Sequence, residues 1–376
     1  MSDTKITFYP VGNGDTNLIE FSDGASMLQD CKFKSSAEDE NNDDYNVIKD
    51  LVENKLKVKR HGLPYLNAFV LTHPDQDHCL GFGTKFYLKN PETNGPKQSD
   101  KDANLILIGE LWYSPRVFTE DEDNLSDDAK AFKKEAERRM KLWKDGDASR
   151  NKDGNRIRII GYTDDDCLKD IPSSRITVPG TELTEMDGKT RSSYRFFVHA
   201  PFKDDIEGAD KNETSVVIHI RIDAGDKSDV GKIMLGGDAE WRVWDKIMEV
   251  TDDDTYLKWN IFEAPHHCSY TYFADSRDDD PNQASLDFLD KMVGNGYVVS
   301  SSKAIKKNSD NPPCQKAKNR YIEHLKEECH FMCTEVEDTQ KPVVFEIKSD
   351  GVHLVDDSAS KSEKRESIAT TPHYYG

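Results

Sequence analysis

The sequence has no long hydrophobic run, and this absence limits where the protein can act. No segment of its 376 residues approaches the roughly 20 consecutive apolar residues that a membrane-spanning helix needs. The opening segment, MSDTKITFYPVGNG, lacks the basic and apolar regions of a secretory signal peptide. We therefore expect a cytoplasmic protein with no membrane partner.

Basic residues are also fewer than acidic ones: the sequence has 51 basic and 71 acidic residues, and its formal net charge is −20. A protein that binds nucleic acid through a broad, nonspecific surface normally presents a basic face. Acidic runs such as TEDEDN at 119–124 and DSRDDD at 275–280 are typical of solvated loops. A nucleic-acid substrate would therefore have to be held locally, through metal ions and a few basic residues.

The seven cysteines are odd in number and follow no repeated spacing, which does not indicate a disulfide framework. Reduced thiols in the cytoplasm fit this pattern better. Cys329, His330 and Cys333 have a spacing known from metal sites, but no second pair lies near them in the sequence. We therefore interpret them as residues on a helix face.

Apolar segments alternate with polar and helical stretches, which predicts a mixed α/β fold. The near-continuous apolar run at 65–72 is typical of a central strand. Helical spacing marks 45–57 and 126–144, and Ser126 is a candidate N-cap of the second helix. Its face is mostly charged, so we expect an appended surface element, followed by a loop at 145–170. The other predicted strands are 5–11, 16–21, 26–30, 104–113, 194–199, 214–222, 231–236, 258–263, 296–301 and 343–348.

This pattern predicts one α/β layered sandwich. We expect a single domain over residues 1–355, with a charged helical insertion at about 114–174. The polar segment 356–376 is expected to be a flexible tail.

Four potential metal ligands follow the predicted central strand, in the segment HPDQDH. In an extended or tightly turning chain the alternate residues His73, Asp75 and Asp77 can converge on one side. His78 then points elsewhere and can serve a second ion. Imidazole and carboxylate together suit zinc or manganese. A strand end with surface carboxylates would explain one histidine here, but not two histidines and two aspartates.

Two further predicted strands end in residues of the same kinds. Asp238 follows the apolar run and two glycines of KIMLGG, and His266 and His267 follow WNIFEAP. Alone, Asp238 is typical of a turn and the histidine pair of a polar loop. Together with the segment at 73–78 they predict a site for two metal ions.

The H-x-D-x-D-H segment resembles the second motif of the metallo-β-lactamase superfamily, whose commoner form is H-x-H-x-D-H. An ordered set of segments is more similar to one branch, the soluble domain of the competence protein ComEC and its free-standing relatives. The resemblance covers roughly residues 5–90 and 190–310. The segments are FYPVGNGDTNLIEF, MLQDC, THPDQDHCLGF, FFVHAP with NETSVVIHI, LGGDAEW and EAPHHCSY.

The resemblance implies an αββα sandwich with two metal ions at the edge between its sheets. Asp238 would be the bridging carboxylate, and Asp30 would orient the ligand loop without binding a metal. One of His266 and His267 would be a ligand. We favour His267, with His266 facing the substrate. The implied ligands are His73, Asp75, Asp77, His78, Asp238 and His267.

The sequence departs from the family pattern at three positions. Asn311 stands where relatives have a histidine that completes the site, so we expect either that one metal is held weakly or that the site holds a single tight ion. Cys268 replaces the glycine after the histidine pair, which is expected to put a thiol near the metals. Asp75 replaces a histidine and makes the ligand set more anionic, which shifts the preference towards manganese and phosphate esters.

These residues predict a hydrolase with two divalent ions, zinc first and manganese second, that activate water to cleave a phosphodiester. The substrate would be a nucleic acid or a nucleotide. Asp77 would be a catalytic ligand, and His266 would donate a proton. One alternative is hydrolysis of a lactam or thioester on the same site. Another is a non-catalytic binding module with protein partners in a multi-protein defence system.

Overall fold

The computed structural model describes residues 3–39, 41–207, 210–309, 311–336 and 339–355. The tail predicted at 356–376 lies outside the described residues. The strands in chain order are β1 Thr4–Phe8, β2 Asn17–Glu20, β3 Ser26–Gln29, β4 Cys31–Lys32, β5 Lys59–Arg60, β6 Leu63–Val70, β7 Leu107–Tyr113, β8 Arg156–Ile160, β9 Ile176–Thr177, β10 Thr181–Leu183, β11 Glu185–Met186, β12 Lys189–Thr190, β13 Tyr194–Ala200, β14 Val217–Ala224, β15 Lys227–Leu235, β16 Trp259–Glu263, β17 Met292–Ser300, β18 Phe331–Cys333, β19 Glu335–Val336, β20 Thr339–Gln340, β21 Val343–Lys348 and β22 Gly351–Leu354.

The helices lie mostly between these strands. They are α1 Val47–Asp50, α2 Gln76–Cys79, α3 Phe82–Lys85, α4 Gln98–Asp102, α5 Arg116–Thr119, α6 Asp127–Lys144, α7 Lys203–Glu207, α8 Trp241–Val250, α9 Gln283–Leu289 and α10 Gln315–His324. A wider helical turn, Leu51–Lys55, continues α1. Short 3₁₀ turns are Ser35–Glu38, Glu122–Asn124, Asp166–Leu168, Ser173–Arg175, Asn212–Thr214, Asp254–Tyr256, Tyr270–Tyr272 and Glu328–His330.

Two large sheets form the centre of the molecule. The first has the strand order β22-β21-β1-β2-β3-β6-β7-β8-β9, and the second β10-β13-β14-β15-β16-β17-β18. Strands β3, β6, β7, β8 and β9 run parallel, and so do β15 to β18. The carboxyl ends of parallel strands meet at one edge of their sheet, where ligands bind in open α/β sheets. The loops after β6, β15 and β16 are at this edge.

Three apolar clusters show how the layers pack. One cluster joins inward-facing side chains of both sheets, including Ile6 and Ile218. A second packs helix α6 and its neighbours against the first sheet, and a third packs α8 to α10 against the second. Helices therefore cover the outer face of each sheet. This confirms the predicted α/β sandwich.

Several predicted elements are confirmed in place. Strands β1, β2 and β3 form the expected antiparallel meander. The run at 65–72 lies on the central strand β6, which is almost wholly buried. The Ser126 hydroxyl accepts a hydrogen bond of 3.2 Å from the backbone N–H of Ala129, so it caps α6 as expected.

The prediction that α6 is an appended surface element is wrong. Phe132 and Ala136 lie in the apolar cluster against the first sheet. The buried guanidinium of Arg139 pairs with Glu135 at 2.7 Å and donates to the carbonyl oxygen of Ile108 at 3.2 Å. The charged pattern predicted that Arg139 and Glu135 would be exposed to solvent, but both are buried and paired with each other.

The predicted loop at 145–170 is also partly wrong. It contains β8, Arg156–Ile160, an interior strand that pairs in parallel with β7 on one side and β9 on the other. Residues 114–174 therefore supply both a strand and a helix to the packed layers. The division of the chain into a core domain and an insertion stays a prediction.

Within the described residues, no helix is both long enough and apolar enough to cross a membrane. None of the seven cysteines, all of which lie in the described part of the chain, forms a disulfide bond.

The packing of α6 predicts how two substitutions in this helix change the free energy of unfolding. Phe132→Ala should lower the free energy of unfolding by about 3–5 kcal/mol, because it leaves a cavity between α6 and the first sheet. Lys134→Ala, at an exposed position of the same helix, should change it by no more than roughly 0.5 kcal/mol. Urea unfolding followed by circular dichroism measures both. If both substitutions changed the free energy of unfolding by the same small amount, α6 would be a surface helix.

Candidate metal centre

Three loops meet at the carboxyl edge of the two sheets. One follows β6, one follows β15 and one follows β16. Gly237, just after β15, has a φ of +50°, and a Cβ there would lie 2.9 Å from the Cβ of Thr72. The loops after β15 and β6 can therefore approach this closely only because residue 237 is glycine.

The histidine pair lies on a left-handed turn, Pro265–Cys268. The φ angles of His266, His267 and Cys268 are +50°, +52° and +64°. This conformation costs roughly 1–2 kcal/mol for each non-glycine residue, and such strain persists where the surroundings hold it. The N–H of His266 donates to the carbonyl of Gly237 at 3.0 Å. Asn311 Oδ1 accepts from the Tyr270 N–H at 2.8 Å just beyond the turn.

Asp238 lies between four histidine rings. Its Oδ1 is 3.2 Å from Nε2 of His78 and 3.6 Å from Nε2 of His267. Its Oδ2 is 3.7 Å from Nε2 of His73 and 3.7 Å from Nε2 of His266. The two carboxylate oxygens therefore face two separate sets of nitrogen atoms.

Two more aspartates from the loop after β6 extend these sets. Asp75 Oδ2 is 3.8 Å from Nε2 of His73, on the Oδ2 side of Asp238. Asp77 Oδ2 is 3.4 Å from Nε2 of His267, on the Oδ1 side. We name the first ligand group as His73, Asp75 and Asp238 Oδ2, with the more exposed ring of His266 beside it, and the second as Asp77, His78, His267 and Asp238 Oδ1.

The unpartnered atoms of these groups fit metal ions. The Nε2 atoms of His73, His78 and His267 are buried and have no hydrogen-bond partner, and neither does Oδ1 of Asp238. Buried polar atoms are normally paired. Two atoms bound to one tetrahedral ion at about 2.0–2.1 Å lie about 3.4 Å apart. The separations of 3.2 to 3.8 Å in both groups match this spacing.

Hydrogen bonds on the other side of the rings aim these Nε2 atoms at Asp238. His73 Nδ1 lies 3.1 Å from the Thr72 hydroxyl and 3.3 Å from the Ser215 hydroxyl. His78 Nδ1 lies 2.7 Å from Oδ2 of Asp30, which also accepts from the N–H and hydroxyl of Thr72. A carboxylate behind a histidine fixes the ring and raises its basicity as a metal ligand. Asp30 occupies this orienting position.

Asp15 is a residue of the site that was not predicted from the sequence. Asp15, His78, Asp238 and His267 each offer a ligand atom, and these atoms lie within 4.8 Å of one another. However, the Asp15 carboxylate is 3.7 Å from Nδ1 of His78 and 3.6 Å from Nδ1 of His267, which is the side away from Asp238. We therefore infer that Asp15 orients the two rings, as Asp30 does for one.

The signal for Asp15 was the segment VGNGD, which lies within the quoted motif FYPVGNGDTNLIEF. Its role depends on a contact between distant parts of the chain. The backbone N–H of Gly14 lies 3.1 Å from His267 Nδ1, 253 residues away in sequence. The Asp15 carboxylate is the neighbouring group that can accept a hydrogen bond from Nδ1–H of His267 when Nε2 binds a metal.

Burial and the neighbouring carboxylates set the protonation of the rings. Burial lowers the pKa of His73 to about 4, so its ring is neutral near pH 7 and can bind a metal. Burial also acts to lower the pKa of His267, but the carboxylates of Asp238 and Asp15 outweigh it and raise the pKa to about 10. The same balance, with Asp238 and Asp30, raises the pKa of His78. Divalent cations would take the place of these protons.

Cys268 does not put its thiol near the metal ligands, so that expectation is wrong. The side chain packs in the apolar cluster on the outer face of the second sheet, with Sγ 3.9 Å from the Cys314 carbonyl. The left-handed backbone of the turn directs Cys268 inward while His266 and His267 face Asp238. His199, in the segment FFVHAP, lies elsewhere, with Nε2 3.1 Å from the Tyr256 carbonyl oxygen.

The two ligand groups make a prediction about metal content. Asp238→Ala should lose both ions, because both groups share this carboxylate. His267→Ala should lose one, whereas His266→Ala should keep both, since His266 is the more exposed ring. Elemental analysis of the purified proteins measures the stoichiometry. Two ions retained by Asp238→Ala would exclude a bridging role, and loss of an ion from His266→Ala would make this ring a ligand.

Comparisons with known proteins give only distant similarities. No family model matches the chain, and no curated protein matches it. One similar solved structure is the isothiocyanate hydrolase from Delia radicum gut bacteria, with 12% identity over 91% of this chain and 99% of that chain and a TM-score of 0.40. Another is a candidate metal-dependent hydrolase from Parabacteroides distasonis, with 9% identity over 89% and 94% and a TM-score of 0.33. These similarities are too distant to carry an argument about activity.

Proposed function

We propose that the protein is a metal-dependent hydrolase that holds two divalent ions and cleaves phosphodiesters, as a nuclease or a nucleotide phosphodiesterase. The observation that carries this proposal is the position of Asp238 between two groups of buried, unpartnered ligand atoms. The ordered motifs that resemble the ComEC branch of the metallo-β-lactamase superfamily support it. Histidine and carboxylate ligands suit zinc first and manganese second.

The bound ions would lower the pKa of water and neutralise negative charge that develops on the substrate. The chain would hold them through the two ligand groups, with Asp77 orienting the second. His266 is the exposed member of its pair, since 19% of its side chain is accessible and 1% of that of His267. Its Nδ1 lies 3.1 Å from the Thr271 hydroxyl, which orients the ring. We propose that His266 donates a proton to the leaving oxygen.

Three lysines beside the candidate metal centre favour an anionic substrate. They surround the loop Gly12–Gly14, which leads directly into Asp15. A Cβ at Gly12 would lie 3.6 Å from Nζ of Lys34 and 3.7 Å from Cε of Lys303. The Lys32 ammonium donates to the carbonyl of Asn13 in the same loop.

The lysines also interact with one another. Burial lowers the pKa of Lys32, and the charges of Lys34 and Lys303 lower it further. The carboxylates of Asp44 and Glu335 already pair with Lys34, at 2.9 Å and 3.5 Å, and Asp77 acts to raise the pKa of Lys32, so anions of the chain itself stabilise this group in part. In a chain with a net charge of −20, its position next to the metal ligands matches the local grip that a phosphate-containing substrate requires.

The alternatives receive less support. The reacting bond of a lactam or thioester is neutral, so the lysines beside the metal centre favour these substrates less than a phosphodiester, whose reacting group is itself anionic. A non-catalytic binding module that has lost its chemistry would not be expected to keep two complete ligand groups. Asn311 is used to hold the histidine turn, where it accepts from the Ser269 hydroxyl at 3.0 Å. The cytoplasmic location and any protein partners remain proposals.

A substrate screen with a matched pair of lysine variants tests the phosphodiester proposal. The exposed Lys303→Gln should raise KM for single-stranded DNA or a dinucleotide roughly threefold, because one contact to phosphate is lost. Lys189→Gln, on the exposed hairpin strand β12, should leave KM unchanged. Steady-state kinetics with manganese or zinc measure both.

Two results would contradict the proposal. One is cleavage of a thioester or lactam with no turnover of any phosphodiester, which would support the acyl hydrolase. The other is the absence of all hydrolysis in a protein that holds two metal ions, which would support a binding module.

A further inference from the structure

A second set of metal-ligand side chains lies away from the candidate metal centre. Glu327, Cys329 and His330 each offer a ligand atom, and these three atoms lie within 4.8 Å of one another. Cys329 and His330 also line a cavity of about 900 Å³. Asn260, near the start of β16, lines the same cavity, whereas the candidate metal centre follows the end of β16. The two places are therefore at opposite edges of the second sheet.

A tight turn brings these neighbours in sequence to one point. The N–H of His330 donates to the carbonyl of Glu327 at 3.0 Å and closes the 3₁₀ turn Glu328–His330. Strand β18 follows at once and pairs in parallel with β17. The turn is thus anchored to the sheet directly after its last residue, which limits how far the three side chains can move apart.

The geometry of the donor atoms matches a tetrahedral ion. Cys329 Sγ lies 3.4 Å from Oε2 of Glu327. On zinc, with Zn–S of about 2.3 Å and Zn–O of about 2.1 Å, a sulfur and an oxygen ligand lie about 3.6 Å apart. The metal can therefore take the place of the thiol proton that now lies between these two atoms.

His330 supplies an independent observation. Only 9% of its surface is exposed, and its Nδ1 is buried without a hydrogen-bond partner. Its ring packs against the ring of Tyr297, with the centroids 4.5 Å apart. A buried polar nitrogen without a partner is costly, and a metal ligand role would satisfy a ring of this kind.

Cys333 does not belong to this group, although its sequence spacing suggested it. Its thiol contacts the carbonyl oxygens of Ser302 at 3.3 Å and Lys303 at 3.4 Å. The third ligand type is the carboxylate of Glu327, which the spacing of cysteines and histidine did not indicate. Cys333 therefore provides a matched control thiol four residues from Cys329.

We propose that Glu327, Cys329 and His330 bind one zinc ion, with a remaining coordination position open towards the cavity. Binding would convert the Cys329 thiol to a thiolate and release its proton to solvent. Thiolate and imidazole favour zinc over manganese, unlike the carboxylate-rich candidate metal centre. This site is separate from the proposed hydrolase chemistry and does not depend on it.

Cobalt substitution tests the proposal in the full-length protein. Cobalt bound to a thiolate gives an intense near-ultraviolet charge-transfer absorption, which histidine and carboxylate ligands do not give. Metal-stripped protein titrated with cobalt should develop this absorption and saturate by the third equivalent, since the candidate metal centre takes up two ions, and excess zinc should abolish it. Asp238→Ala should keep it, because the candidate metal centre has no thiolate ligand.

Variants at the second site test whether Cys329 and His330 bind the metal. Cys329→Ser should abolish the absorption, His330→Asn should weaken cobalt binding at least tenfold, and Cys333→Ser should leave it intact. Circular dichroism confirms that each variant folds. The proposal is overturned if folded wild-type protein shows no such absorption, if zinc does not displace the cobalt, or if Cys329→Ser retains the signal.

Discussion

The arrangement of the site depends on one buried negative charge. Asp238 is 3% exposed and sits where the edges of both sheets meet. A carboxylate in such a place is stable only when cations or hydrogen-bond donors surround it. Here the surrounding groups are histidine nitrogens at 3.2 to 3.7 Å, and several of them have no other partner. The same feature makes the site suited to cations that can be shared between its two oxygens.

A second buried acidic residue, Glu263, connects the segments that surround Asp238 through hydrogen bonds. Glu263, the last residue of β16, accepts hydrogen bonds from the N–H of Gly236 at 3.2 Å and from the amide of Gln29 at 3.2 Å. It also accepts from the amide of Asn17. Gln29 and Asn17 belong to the first sheet, whereas Gly236 precedes Asp238 on the second. The loop that presents Asp238 is thus tied to both sheets, which preorganises the site before any ion binds.

The sequence predicted the elements that carry periodic or strand-end signals. Apolar runs located the strands, and His73, Asp77, Asp238 and His267 were identified because each follows such a run. Other features depend on contacts that no local pattern records. Helix α6 looked like a surface element because Arg139 and Glu135 are charged, yet their pairing lets the helix lie in the core.

The directions of side chains were the hardest feature to predict. Three consecutive left-handed residues turn Cys268 into the core while the two preceding histidines face the aspartates. Asp15 was not predicted because its partners, His78 and His267, are distant from it in the sequence. Local propensity does not predict either effect, since both are set by tertiary packing.

The central claim is that two metal ions flank Asp238. Crystals grown with zinc, with anomalous diffraction recorded on both sides of the zinc absorption edge, test it most directly. The account predicts two anomalous peaks at this centre, one next to Oδ1 among His78, His267 and Asp77, and one next to Oδ2 beside His73 and Asp75. A single peak at Asp238, or fully occupied zinc sites that leave both oxygens without a metal, would contradict it.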